Sequence, residues 1–122
     1  NIDGLHQRAG SREVIELHGN LQRAQCTNCG KVVSMVTLPT LTKCVCGSYF
    51  KPEVVLYEEG LQYFGNAVEL VGQADTLLVV GTSLLVAPAN SLPKMAERNG
   101  AKIIMINADA ERELPLLLAQ IS

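Results

Sequence analysis

The sequence predicts an α/β protein, a doubly wound parallel sheet with a small metal-binding module inserted into it. Three observations predict it. Two runs, Thr76-Leu77-Leu78-Val79-Val80 and Lys102-Ile103-Ile104-Met105-Ile106, are apolar almost throughout and stop at Gly81 and Asn107. Segments of helix length, with apolar residues near the 3.6-residue period, accompany them. Residues 23–52 have a different texture, short-range and polar, and they hold all four cysteines. Strands that are apolar on both faces and alternate with helices belong in a parallel sheet covered on both sides. Ligands of such sheets bind beyond the carboxyl ends of the strands.

Taken in order, residues 1–10 read as a turn and a short helix, with Asn1 and Asp3 as capping residues and Gly10 as a stop. Val14-Ile15-Glu16-Leu17 is strand-like and is broken by His18-Gly19-Asn20. Inside the inserted module only 32–38 is apolar. Glu53-Val54-Val55-Leu56-Tyr57 reads as a short strand. Residues 61–73 place Leu61, Phe64, Ala67, Val68 and Val71 at helical spacing. A second helix is expected over 87–99, with Pro88 tolerated in its first turn. The predicted strand mouths are His18-Gly19, Tyr57-Glu58-Glu59, Gly81-Thr82-Ser83 and Asn107-Ala108-Asp109, each polar or glycine-bearing as a ligand crevice requires.

At 122 residues and 48% hydrophobic the chain has the length of one domain, or of one domain with a small insertion. The net charge is −2 and no basic run marks a nucleic-acid or anionic-membrane footprint. No apolar stretch approaches the about 20 residues that span a bilayer. Nor is a charged leader followed by an apolar segment visible. The expectation is a soluble, cytoplasmic protein without nucleic-acid or membrane partners, of unspecified oligomeric state. Cysteine usage agrees, because four cysteines confined to 26–46 are not the scatter of a secreted disulfide scaffold.

Cys26-Thr27-Asn28-Cys29 is followed after 14 residues by Cys44-Val45-Cys46. Zinc takes four tetrahedral ligands, with sulfur at about 2.3 Å. Two close pairs on turns can supply them, and Gly30 and Gly47 follow each pair where a tight turn tolerates positive φ. With no fifth ligand or open position suggested, the expected metal, Zn2+, would be structural. Free dithiols or disulfides are the alternative. The C-x-C spacing of the second pair tightens its turn without removing a ligand.

Gly81, Thr82 and Ser83 after a buried strand could meet phosphate or ribose, with the following helix adding its positive end. An ordinary turn with a hydroxyl cap fits the same pattern. Asn107 and Asp109 are open to the same two readings, ribose contacts or turn caps. The G-x-G-x-x-G fingerprint is absent. His18, against a glycine at a predicted mouth, suits a general base. His6 lies between Leu5 and Gln7-Arg8 in a polar helical stretch and reads as a solvated side chain.

In this order the pieces resemble the sirtuin family. Asn1-Ile2-Asp3-Gly4-Leu5-His6-Gln7-Arg8-Ala9-Gly10 is similar to the family's segment lining the nicotinamide pocket. Glu16-Leu17-His18-Gly19 resembles its catalytic-histidine motif. The two cysteine pairs follow, then Lys51-Pro52-Glu53-Val54-Val55-Leu56-Tyr57-Glu58-Glu59, similar to the substrate-binding strand. Gly81-Thr82-Ser83-Leu84 with Val86 and Pro88, and Ile106-Asn107-Ala108-Asp109, complete a match over nearly the whole chain.

The resemblance implies a partial Rossmann-like domain with an inserted zinc ribbon. Residues 1–22 and 53–122 would form the NAD-binding part and 23–52 the zinc module. It further implies NAD-dependent removal of acetyl or acyl groups from protein lysine, giving nicotinamide and O-acyl-ADP-ribose. His18 would take a proton from a ribose hydroxyl. Asn1, Ile2 and Asp3, Gly81, Thr82 and Ser83, and Asn107 with Asp109 would bind NAD. Val54, Val55 and Leu56 would pair with an extended acyl-lysine peptide, and Val86 would also meet the substrate. Cys26, Cys29, Cys44 and Cys46 would hold zinc.

The family's glycine-rich loop and following arginine do not occur in these residues, and Glu58 replaces a usual glycine. The stretch is therefore expected to be a partial catalytic domain that binds NAD poorly alone. An ADP-ribosyltransferase on the same scaffold and a non-catalytic zinc-stabilised fragment are the alternatives.

Overall fold

Gly19 begins the strand around which the first half of the chain is organised. The computed structural model describes residues 1–38, 43–56 and 60–121. They fall into two compact units, residues 1–63 and 64–122.

In the first unit, α1 (Leu5–Arg8) has Gly4 at its N-cap and no side-chain cap, so neither Asn1 nor Asp3 caps it as expected; the Asp3 carboxylate instead accepts the Leu5 N–H at 3.0 Å in the turn before the helix. Three antiparallel strands, β1 (Gly19–Cys26), β2 (Val32–Ser34) and β3 (Phe50–Val54), form a sheet in the order β2-β1-β3. Ala24 stands opposite Val33 on one side and Pro52 on the other. Proline donates nothing to a ladder and is confined to sheet edges, and β3 is at an edge. The pairing of β1 with β3 shifts between Asn20 and Ala24. Asn20, Ala24, Cys26 and Cys44 are the buried side chains there.

Two expectations are corrected in this unit. Residues 14–17 do not form a strand. The Gly19 N–H bonds the Glu16 carbonyl at 3.1 Å and closes a turn over Leu17 and His18, so His18 precedes β1 instead of ending a strand. Nor does the 53–57 run add to a parallel sheet. Its described part ends β3 at Val54, antiparallel to β1. Tyr57, Glu58 and Glu59 lie outside the described residues.

In the second unit the expected α/β alternation is present. Helix α2 (Phe64–Gly72) leads to β4 (Thr76–Val80), a 3-10 turn (Ala89–Ser91), α3 (Leu92–Arg98), β5 (Lys102–Ile106) and α4 (Ala110–Ile121). Strands β4 and β5 pair in parallel, from Thr76 opposite Lys102 to Val80 opposite Ile106. Val71, Ala96 and Ala101 pack with Leu77, Leu92, Met95 and Ile103 to make the core. The second helix starts five residues later than expected, at Leu92. Its first turn carries Pro93, not Pro88, which precedes the 3-10 turn. Burial on both strand faces is not found. Leu78 and Val80 stay 37% and 39% exposed, because α2 and α3 pack against Leu77 and Ile103 and leave alternate residues of β4 open. No described helix is long and apolar enough to cross a membrane.

Candidate functional site

The turn that carries His18 is fixed from several directions. Gly19 has φ of +84°, and a Cβ built there would stand 2.0 Å from the Glu53 carbonyl oxygen. Only glycine permits β1 and β3 to approach so closely with that backbone. The carbonyl of His18 accepts the Val55 N–H at 3.0 Å. His18 itself is half-buried, and among the described residues its imidazole has no hydrogen-bond partner. Three predicted substrate positions, Val54, Val55 and Leu56, therefore run alongside His18, with Val54 opposite Gly19 in the β1–β3 register.

A polar network absent from the sequence reading braces this turn. One Glu16 oxygen accepts from Gln7 Nε2 at 2.7 Å and from Asn20 Nδ2 at 2.5 Å. The other accepts from Arg23 Nη2 at 2.6 Å, and Arg23 Nε also donates to Glu53 at 2.7 Å. Desolvation would raise the Glu16 carboxyl, but hydrogen bonds from Arg23, Asn20 and Gln7 outweigh it and hold the group below its ordinary value. The two carboxylates push the Arg23 guanidinium the other way, making it still harder to deprotonate. Asn20, 4% exposed, is fully used, since its Oδ1 also accepts the Gln22 N–H at 2.8 Å. Charged residues 7 and 30 apart give no local pattern.

Ile2 and Asp3 lie along β1, and Asn1 hydrogen-bonds the Asp3 side chain. The Ile2 carbonyl accepts the Leu21 N–H at 2.8 Å and the Asp3 carbonyl accepts Gln22 Nε2 at 2.8 Å. The Asp3 carboxyl is held below its ordinary value, chiefly by the Leu5 N–H.

All four cysteines converge. The sulfurs of Cys26, Cys29, Cys44 and Cys46 lie within 4.8 Å of one another. Cys26 Sγ is 3.5 Å from Cys46 Sγ, and Cys29 Sγ is 3.6 Å from Cys44 Sγ. A disulfide needs about 2.05 Å, so all four are free thiols. A zinc tetrahedron with bonds of about 2.3 Å separates its sulfurs by about 3.8 Å, which these positions match. Backbone N–H groups of Cys29 and Asn28 lower the Cys26 thiol to about 6. The Lys31 N–H would lower Cys29 too, but the neighbouring sulfurs of Cys44, Cys26 and Cys46 outweigh it and raise that thiol to about 11, as expected where close thiols share their protons. The cluster is positioned to bind a structural zinc ion, and the C-x-C pair reaches it as well as the C-x-x-C pair does.

In the second unit, the ends of β4 and β5 bring Gly81, Thr82 and Asn107 together. The Asn107 side-chain oxygen accepts the Thr82 N–H at 3.1 Å, and the Gly81 N–H bonds the Ile106 carbonyl at 3.0 Å. Thr82 Oγ1 in turn accepts the Leu84 N–H at 3.1 Å, leaving Ser83 at the tip of the turn. Asp109, at φ +49°, offers its carbonyl to Arg112 and Glu113 at the start of α4. A cleft of about 440 Å³ between β5 and α4 is lined by Ile104, Ile106, Asn107, Glu113 and Leu117, among others. Val86, half exposed, offers its carbonyl to the Asn90 N–H at 3.0 Å.

Comparison with known proteins gives these parts a common context. The model of the Sir2 family matches residues 1–88. The NAD-dependent protein deacetylase 1 of Geobacillus kaustophilus (strain HTA426) is 50% identical over 110 residues, 88% of this chain and 46% of that protein. The NAD-dependent protein deacylase 2 of Pyrobaculum aerophilum is 43% identical over 122 residues, 95% of this chain and 49% of its own. A solved complex of a Sir2 homologue with NAD superposes with a TM-score of 0.88 at 34% identity, covering 99% of this chain and 56% of that one. A structure of Sir2Tm bound to a propionylated peptide gives 0.81 at 37% identity, covering 88% and 49%. The chain thus spans about half the length of the curated relatives it matches.

Proposed function

Because this chain belongs to the Sir2 family, we propose that the whole protein is an NAD-dependent protein-lysine deacylase. Acyl-lysine protein or peptide and NAD are its substrates, and nicotinamide, free lysine and O-acyl-ADP-ribose its products. The observation that carries this reading is the His18 turn, closed by Gly19 and bonded through its own carbonyl to Val55 at a sheet edge. An edge strand offers unpaired backbone groups to an extended peptide, largely without regard to sequence. Val54 ends that edge strand, Val55 and Leu56 continue the chain beyond it as further substrate positions, and Val86 adds an apolar substrate contact. An acyl-lysine held there lies next to a half-buried imidazole free to accept a proton.

In this mechanism His18 takes the proton of a ribose hydroxyl, so that the oxygen can attack the acyl carbon. Such general-base help is typically worth about 10²–10⁴-fold. Asn1, Ile2 and Asp3 hold the nicotinamide end of NAD. Gly81, Thr82 and Ser83 meet phosphate or ribose, while Asn107 and Asp109 meet the adenosine side. NAD supplies the ribosyl electrophile when bound. Zinc, on Cys26, Cys29, Cys44 and Cys46, takes no part in the chemistry and ties the 23–52 module together. Residues 1–22 and 53–122 serve the NAD-binding part. Thiols kept free for a metal suit a reducing compartment, and we place the protein in the cytoplasm.

The test is mass spectrometry of an acetyl-lysine peptide incubated with NAD and the whole protein. The expected result is loss of the acyl group with release of nicotinamide, abolished by His18→Ala with little change in melting temperature. Gain of ADP-ribose by the peptide with the acyl group retained would assign the protein to the ADP-ribosyltransferases. Full turnover by His18→Ala would remove the histidine from the mechanism.

A further inference from the structure

We propose that Glu16 is the positioning residue for His18, fixing the 16–19 turn and coupling it to α1. This rests on the deacylase reading, in which His18 acts on substrate. His18 has no side-chain hydrogen bond among the described residues, so its orientation is inherited from its backbone. Glu16 sets that backbone from one side, through its carbonyl to the Gly19 N–H at 3.1 Å. Its carboxylate adds three bonds, to Gln7 on α1 and to Asn20 and Arg23 on β1. Arg23 continues to Glu53 on β3, two residues before Val55, whose N–H donates to the His18 carbonyl. The connections form a closed ring, from Glu16 through His18, Val55, Glu53 and Arg23 back to Glu16.

The chemistry of the ring requires a carboxylate. Glu16 accepts three side-chain hydrogen bonds and its partners, two amide NH₂ groups and a guanidinium, all act as donors. Glutamine has the same shape, but its NH₂ would confront a donor whichever way the amide faced. A Glu16→Gln protein therefore keeps its packing and loses at least one arm of the brace. Aspartate keeps both acceptor oxygens on a shorter stem and recovers part of it. The link through Gln7 also joins the turn to α1, which continues the 1–3 segment.

The test uses the whole protein with Glu16→Gln and Glu16→Asp. Steady-state kinetics on an acetylated peptide should show kcat for Glu16→Gln down roughly ten- to a hundredfold, the scale of a small misplacement of a catalytic group. KM for the peptide should stay within about twofold, and Glu16→Asp should recover part of the loss. In parallel, amide exchange at Gly19 and Val55 should quicken in Glu16→Gln, while exchange at Ala24 and Cys26 and the zinc content stay at wild-type levels. Wild-type kcat in Glu16→Gln overturns the proposal. So does a kcat loss matched by zinc loss and faster exchange along all of β1, which is general unfolding. If His18→Ala proves active, the deacylase reading fails by itself, and the exchange at Gly19 and Val55 still decides whether Glu16 fixes the turn.

Discussion

Replacing Gly19 by alanine tests the architecture of the His18 turn most directly. Two costs can be worked from the structure. The residue sits at φ +84°, and a left-handed backbone costs a non-glycine residue about 1–2 kcal/mol. The new methyl would also stand 2.0 Å from the Glu53 carbonyl oxygen and 3.0 Å from Val54 Cα, both backbone atoms that cannot rotate away. Relief requires β3 to retreat from β1, sacrificing the bonds around the Gly19–Val54 pair and the Val55-to-His18 bond, roughly 1 kcal/mol each. The sum is about 3–5 kcal/mol, or about 10 °C in melting temperature for a protein of the relatives' size. Gly10→Ala is the control. It has φ of +96° with nothing within 4 Å, so it should show the backbone cost alone, about 1–2 kcal/mol. Thermal and urea unfolding of the two variants, with deacylation assayed in parallel, measures the difference. A Gly19→Ala protein melting within a degree or two of Gly10→Ala would refute the close-approach reasoning.

Three further outcomes are expected. Cys29→Ala should lower bound zinc well below one per chain and collapse the module, measured by elemental analysis and melting, because structural zinc contributes on the order of 10 kcal/mol to folding small modules. The Glu16 carboxyl is depressed below its ordinary 4.5, so its contribution to stability is complete above that value and is lost as pH falls through the folded-state pKa. Glu16→Gln should accordingly flatten the acid limb of the stability–pH curve measured by urea unfolding, and an unchanged limb would count against the ion pair. Asn107→Ala frees the Thr82 N–H and should weaken NAD binding several-fold by calorimetry with a melting shift of no more than a few degrees, since the bond is exposed and worth about 1 kcal/mol.

Strands β4 and β5 were legible to the residue because each is a short apolar run stopped by Gly81 or Asn107 and preceded by a turn. The zinc ligands were legible for a similar reason, since metal spacing is local chemistry. Strand β1 was not. Its inward positions include Asn20, Ala24 and Cys26, and its outward ones Leu21 and Gln25, so the apolar alternation that marks a strand is reversed or muted. The apolar 14–17 run drew the assignment instead. What decides against it lies outside the run: the Glu16 side chain is committed to Arg23 and Asn20, and its carbonyl to the Gly19 N–H. Pro88 misled in the same way, because a helix-length pattern does not reveal which of two prolines, 88 or 93, stands in the first turn. Thr82 and Asn107 were singled out as motif residues, but the bond between them depends on the parallel register of strands 26 residues apart.

Strand β1 runs from the glycine of the histidine turn to the first zinc ligand, eight residues or about 26 Å of extended chain. One end lies in close contact with β3 and the other carries Cys26 of the four-cysteine cluster, where a metal would pin it, and the irregular pairing near Asn20 lies between them. The strand thus works as a gauge of fixed length. A sheet strand free at one end can slide by a residue and turn its side chains to the opposite face. An ion held by Cys26 at the far end would deny that freedom, and so would help to fix where His18, just before the strand, stands.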